Sequence, residues 1–223
     1  MPENGIEYVQ RKDLLSYEEM IRLIRVFGDA GIRKLRITGG EPFVRKGIME
    51  FLHEVSKLKS LQETHITTNG TFTEDKIEDL EKLGIKSINL SLDSLNKERF
   101  FKITRRDYFG RVMSTLDALI KSQIAVKINM VVMDSKNIED IYPMLELAKD
   151  NDISIRFIEE MPFNGTEGQG NVSFWPMNKI LEHIHKEYDI QKLKDPKYST
   201  SSNYSINGFK GNFGVIAAYT RTF

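Results

Sequence analysis

The sequence predicts an α/β fold built on a mainly parallel sheet, and three observations predict it. Strand-like runs recur at 34–38, 64–68, 86–93, 125–133 and 153–159. Helix-like stretches separate them at a spacing that fits repeated β–α–β units with right-handed crossovers. The strand runs also alternate apolar with polar residues, whereas strands covered on both faces are apolar throughout.

The elements follow in order. Ser16, Tyr17, Glu18 and Glu19 have the form of a capping box, and Met20, Ile21, Ile24 and Phe27 continue at helical spacing. This helix should run to about Ala30 and stop at Gly31. Further helices are expected over 46–58, 74–83, 109–122 and 138–149, the last with Asn137 as its N-cap. After residue 160 the rhythm breaks. The stretch 162–173 is Gly- and Asn-rich and reads as a loop, 175–190 reads as one more helix, and 194–214 is polar with a turn at Asn207-Gly208. The chain therefore divides into a core over 1–160 and an irregular extension of loop, helix and strand over 161–223.

Composition excludes several classes of function. Lys plus Arg number 32, as do Asp plus Glu, so the formal net charge is zero and no overall field favours nucleic acid or an anionic membrane. No stretch approaches the ~20 apolar residues of a membrane span, and the N-terminus has no secretory apolar run, so the chain reads as cytoplasmic. There is no cysteine, which excludes disulfides, thiolate nucleophiles and Cys-ligated metal within these residues.

The alternation locates a site. Leu35 and Ile37 oppose Lys34, Arg36 and Thr38; Ile88, Leu90 and Leu92 oppose Asn89, Ser91 and Asp93. Val126 and Ile128 oppose Lys127 and Asn129, and Ile155 and Phe157 oppose Ser154 and Arg156. Helices must pack on the apolar face, so the sheet curls its polar face around an interior. Lys34, Arg36, Lys127 and Arg156 would share that interior with few acids, chiefly Asp93. Burying unpaired charge is costly, so the cluster needs water or an anion such as a phosphate-bearing ligand. The Gly39-Gly40-Glu41-Pro42 turn lies at a strand's C-terminal end, where α/β folds build sites, and its glycines allow close backbone approach while Glu41 offers a carboxylate. Each of these features has a structural alternative: Gly-Gly as an ordinary turn, Thr67 in a plain βα turn, Ser91 and Asp93 as scaffold.

The segments LRITGGEPFVRK, TTNGT, INLSLDSL, VKINMVVM and IRFIEEMP occur in the order found in radical S-adenosylmethionine enzymes, and the chain resembles in particular the GTP 3′,8-cyclase family of molybdenum cofactor biosynthesis. The resemblance implies a partial (β/α)6-type TIM barrel with outer helices. It also implies a lyase in which a 4Fe-4S cluster cleaves S-adenosylmethionine and the resulting radical abstracts the ribose 3′ hydrogen of GTP. By similarity, Gly39, Gly40, Glu41, Ser91 and Met161 hold S-adenosylmethionine, and Lys34, Arg36, Thr67, Lys127 and Arg156 hold GTP. Met161 has its own alternative in core packing. A homodimer and a downstream pterin-forming partner enzyme are further implications.

One departure from the family is large. Its N-terminal and C-terminal cysteine sets would fall just outside Met1 and Phe223, so the chain reads as the central part, inactive alone. Two other readings stay open: a non-catalytic nucleotide- or S-adenosylmethionine-binding module, and another radical enzyme of the superfamily acting on an anionic or peptide substrate.

Overall fold

The structure, a computed structural model, describes residue 10 and residues 13–161, 175–197 and 199–217. Its first five strands are β1 (Lys34–Ile37), β2 (Glu63–Thr68), β3 (Ser87–Ser91), β4 (Ala125–Val132) and β5 (Ile153–Glu159). Each pairs in parallel with the one before. The helices are α1 (Tyr17–Asp29), α2 (Ile48–Ser56), α3 (Ile77–Lys82), α4 (Lys97–Thr104), α5 (Phe109–Lys121), α6 (Ile141–Glu146) and α7 (Met177–His185). The expected capping box is present at the start of α1: Glu19 N–H donates to Ser16 Oγ at 3.2 Å, and Ser16 N–H donates to Glu19 Oε2 at 2.7 Å.

The apolar side of each strand packs on the helices. Ile66, Ile88, Leu90, Ile128, Met130, Ile155 and Phe157 are fully buried, in one cluster with Leu52, Leu80, Leu116, Leu119 and Leu145 from the helical layer. Burial of each such side chain contributes about 1.5–3 kcal/mol. This one-sided core is why the opposite strand face is free to be polar.

Residues after 175 carry more regular structure than their composition suggests. Strands β6 (Ile190–Lys192), β7 (Ser202–Ile206) and β8 (Asn212–Ile216) extend the same sheet, whose order is β1-β2-β3-β4-β5-β8-β7-β6. β8 lies parallel to β5, while β7 and β6 return antiparallel. The turn expected at Asn207-Gly208 falls between β7 and β8. The loop expected at 162–173 lies outside the described residues.

Two local expectations need correction. The connection from β3 to β4 contains two helices, because Asn96 caps α4 by accepting from Glu98 and Arg99 N–H at 3.0 Å each, and Phe100 anchors it in the core. Asn137 does not cap a helix. Its side chain accepts from Met133 N–H and donates to the Val131 and Asp93 carbonyls, all at 2.8 Å, so it closes the end of β4 instead. The helix then begins three residues later, after a 3-10 turn over Ile138–Asp140.

Candidate functional site

Strand register assembles the polar face. Arg36 on β1 pairs with His65 on β2, and His65 with Ser87 on β3. One step further along, Thr67, Asn89, Lys127, Ser154 and Asn212 stand side by side across β2, β3, β4, β5 and β8. The next row is Ser91, Asn129, Arg156 and Gly214, with Asn203 of β7 beside Gly214. Parity alone would have placed these residues on one face, and the pairing puts them into rows.

The four expected cations share the polar strand face, with Lys127 flanked by the strand of Arg156. Burial is the main cause that holds the Lys127 amine below the ordinary lysine value, and Arg156, Arg36 and Lys34 add to it as like charges, against Glu63. Lys127 and Arg36 have no hydrogen-bond or ion-pair partner among the described residues. Arg156 is different: its Nη1 donates to Ser201 Oγ and Asn203 Oδ1, so the C-terminal hairpin fixes its guanidinium, which burial depresses from the usual arginine range. Gly214 lies directly beneath, where a Cβ would collide with Arg156 Nη1 and Asn203 Oδ1. Lys34 is bound to Glu63 at 3.0 Å on the outer part of the face.

Lys127, Ser154, Arg156 and Asn212 line a cavity of about 650 Å³ that opens at the amino-terminal rim of β4 and β5. Its wall is mixed in charge, with Lys127, Arg156 and Lys210 on one side of the balance and Asp150 and Asp152 on the other. Asn89 Oδ1, on the same row as Lys127, is buried with no hydrogen-bond partner among the described residues. A buried acceptor of this kind costs stability unless something donates to it.

At the other end, Gly39 and Gly40 leave open space around both α-carbons, and Gly39 has a φ of +149°, which side-chain-bearing residues avoid. They border a groove of about 590 Å³ with Arg36, Thr38, Met20 and Phe51. Glu41 turns its carboxylate inward: it accepts from Phe43 N–H at 3.1 Å, Thr68 Oγ1–H at 2.8 Å and Asn69 N–H at 2.7 Å. The carboxylate expected to face a ligand therefore also locks the turn to β2. Ser91 is exposed at the end of β3, Thr67 is half-buried on β2, and Met161 is 53% exposed next to the undescribed stretch. Asp93 accepts from Val131 N–H at 2.9 Å, and burial raises its carboxyl above the usual range. It is not paired with any of the four cations.

Sequence reasoning missed Glu63 and His65. His65 Nδ1 lies 2.7 Å from Ser87 Oγ and its Nε2 3.1 Å from Glu63 Oε2, the same oxygen that binds Lys34. The signal was present, since His65 and Thr67 alternate with Ile66 as the polar residues of the other strands do.

Residues 4–148 match the family model described as the radical SAM superfamily, and residues 153–223 match the one described as Molybdenum Cofactor Synthesis C. The whole chain is 38% identical over 226 residues to the mitochondrial GTP 3′,8-cyclase of Arabidopsis thaliana, spanning 57% of it. It is 39% identical to molybdenum cofactor biosynthesis protein 1 of Dictyostelium discoideum, spanning 36% of that protein, and 34% identical to a GTP 3′,8-cyclase of Clostridium perfringens, spanning 69%. The chain thus covers a third to somewhat over half the length of these two eukaryotic relatives. A crystal structure of Streptococcus suis SuiB bound to S-adenosylmethionine superposes over 89% of this chain and 43% of SuiB with a TM-score of 0.61 at 18% identity, a likeness of fold alone. The chain belongs to the radical SAM superfamily and, within it, to the family of the GTP 3′,8-cyclases.

Proposed function

We propose that this chain is the nucleotide- and S-adenosylmethionine-holding core of a GTP 3′,8-cyclase, a lyase that converts GTP to 3′,8-cyclo-7,8-dihydro-GTP in molybdenum cofactor biosynthesis. The observation that carries the reading is the strand register, which sets Arg36 of β1, Lys127 of β4 and Arg156 of β5 on one polar face, with burial and the neighbouring like charges holding the Lys127 amine below its ordinary value. Three like charges pressing on a partly buried amine are stable together only if water or an anion offsets them, and a triphosphate supplies that charge in one molecule.

In this reading Arg36 and Arg156 grip phosphate oxygens with planar forks, Lys127 and Lys34 add point charges, and Thr67 contributes a hydroxyl. Asn89 Oδ1 is available to an N–H donor of the base or to water. S-adenosylmethionine fits the residues present: Gly39 and Gly40 leave room for it, and Ser91 and Met161 flank the space by similarity. When bound in an active enzyme of this family it supplies the hydrogen-abstracting radical. The 4Fe-4S cluster does not fit, because such clusters are held by thiolates and the sequence contains no cysteine. The chain on its own is therefore inactive in the redox step, and its place is cytoplasmic, with a homodimer and a pterin-forming partner enzyme as the assemblies it would serve.

The cation row and Asn89 Oδ1, unpartnered among the described residues, also fit a second reading, a nucleotide-binding module without redox chemistry. Calorimetry with GTP, GMP and guanosine tests the shared anion site: GTP should bind more tightly than GMP, and more weakly as salt is raised. Equal affinity for GTP and guanosine removes the anion-site argument. Formation of 5′-deoxyadenosine by the isolated chain after iron–sulfur reconstitution contradicts the inactive-core reading.

A further inference from the structure

Glu63, His65 and Ser87 form a continuous polar line across β2 and β3 at the edge of the cation cluster. Glu63 is held ionised, its carboxyl lowered first by the hydrogen bond from Lys34 and then by that from His65. An ionised carboxylate only accepts, so His65 Nε2 carries hydrogen, and in the neutral ring Nδ1 accepts from the Ser87 hydroxyl. Adding a proton to Nδ1 needs no movement of heavy atoms: Ser87 Oγ changes from donor to acceptor at the same 2.7 Å.

The charges facing this ring can be named strand by strand. Glu63 favours its protonation from β2, Arg36 opposes it from β1 and Lys127 from β4, Lys34 of β1 shares the Glu63 oxygen that holds Nε2, and β3 offers the neutral Ser87. Burial is the largest influence and also opposes it, so the ring is held below the ordinary histidine value. The two opposing cations are the ones that lack a partner among the described residues.

We propose that His65 is a further member of the anion site: a polyanion seated against Arg36 and Lys127 draws one proton from solvent onto His65 Nδ1, and the resulting imidazolium adds to the charge that holds the ligand. This rests on the reading of the cluster as a phosphate site and extends it to a residue outside the four cations. Ligand charge cancels the repulsion from Arg36 and Lys127, while Glu63 stays in place to stabilise the imidazolium.

The experiment follows the imidazole signals of the four histidines by NMR, with His65 assigned by His65→Gln. The ligands are GTP and trimetaphosphate, the second chosen because its charges do not titrate near neutrality. The His65 midpoint should move to higher pH with either ligand, and trimetaphosphate should bind about fivefold or more tightly at pH ~6 than at pH ~8. His65→Gln should abolish that pH dependence. Binding of both ligands with an unmoved His65 midpoint overturns the inference and leaves the phosphate site intact. Absence of any anion binding overturns both.

Discussion

Thr68 donates its hydroxyl to Glu41 Oε1 across 2.8 Å, joining the end of β2 to the turn that follows β1. The same hydroxyl oxygen accepts from Gly70 N–H at 3.0 Å and lies 3.0 Å from Thr73 Oγ1. Two successive βα turns therefore share one carboxylate. Glu41→Ala removes three acceptor contacts and should destabilise the chain by about 2–4 kcal/mol in urea titration, and Thr68→Val by about 1–3 kcal/mol. A change near zero for Glu41→Ala would mean that these three contacts add nothing to the stability of the turn.

Arg36 is exposed and unpartnered among the described residues, so its shape should matter to binding and not to folding. Arg36→Lys keeps the charge but loses the planar fork; the expected result is GTP affinity reduced roughly tenfold with stability within about 0.5 kcal/mol of the parent. Leu35→Ala on the opposite face is the control. Leu35 is only half-buried against the core, so its cost should be about 1–3 kcal/mol, with GTP binding per folded molecule unchanged.

Gly214 provides a test of Arg156 that leaves the arginine in place. A methyl there would displace the guanidinium from Ser201 and Asn203. Gly214→Ala should cost about 1–3 kcal/mol of stability through overpacking and weaken GTP binding as well. Retained affinity and retained stability together would show that Arg156 can move without consequence.

Three buried or half-buried groups, two histidines and one carboxyl of opposite effect, contribute to the dependence of stability on pH. Burial is the main cause that lowers both His65 and His183 in the folded chain. Their contribution is full above the ordinary histidine value of ~6.5 and is lost as pH falls through the folded values, so the melting temperature should drop on acidification below about pH 6.5. Asp93 is raised by burial, so its contribution is present below the ordinary carboxyl value and lost as pH rises through the folded one. Asp93→Asn should therefore raise the melting temperature at neutral pH and flatten the acid side of the profile.

Much of this site was legible in alternation alone. Lys34, Arg36, Lys127 and Arg156 stand on the face assigned to them because a strand's period of two cannot be broken without exposing Ile37, Ile128 or Ile155. Of the last three strands only a strand and the hairpin turn at Asn207-Gly208 were legible, and β7 shows why the rest was not. Ser202 and Asn203 are buried at 1% and 7% although their composition reads as loop, because Arg156 and Asp195 hydrogen-bond to that hairpin from outside it. A partner 47 residues away leaves no local trace. Glu63 and His65 escaped notice for a related reason: their meaning comes from Lys34 and Ser87 on neighbouring strands.

The parallel pairing of β8 with β5 has a consequence for how the protein is made. Ser154 donates to Asn212, 58 positions further along the chain. At a synthesis rate of ~5–20 residues per second, the far side of β5 stays uncovered for roughly 3–12 s after it emerges from the ribosome. During that interval Ile155 and Phe157 sit on an open strand edge, which other nascent chains can pair with. Arg156 is on the same strand, and its charge is the feature most suited to keep that edge in solution until its own hairpin arrives.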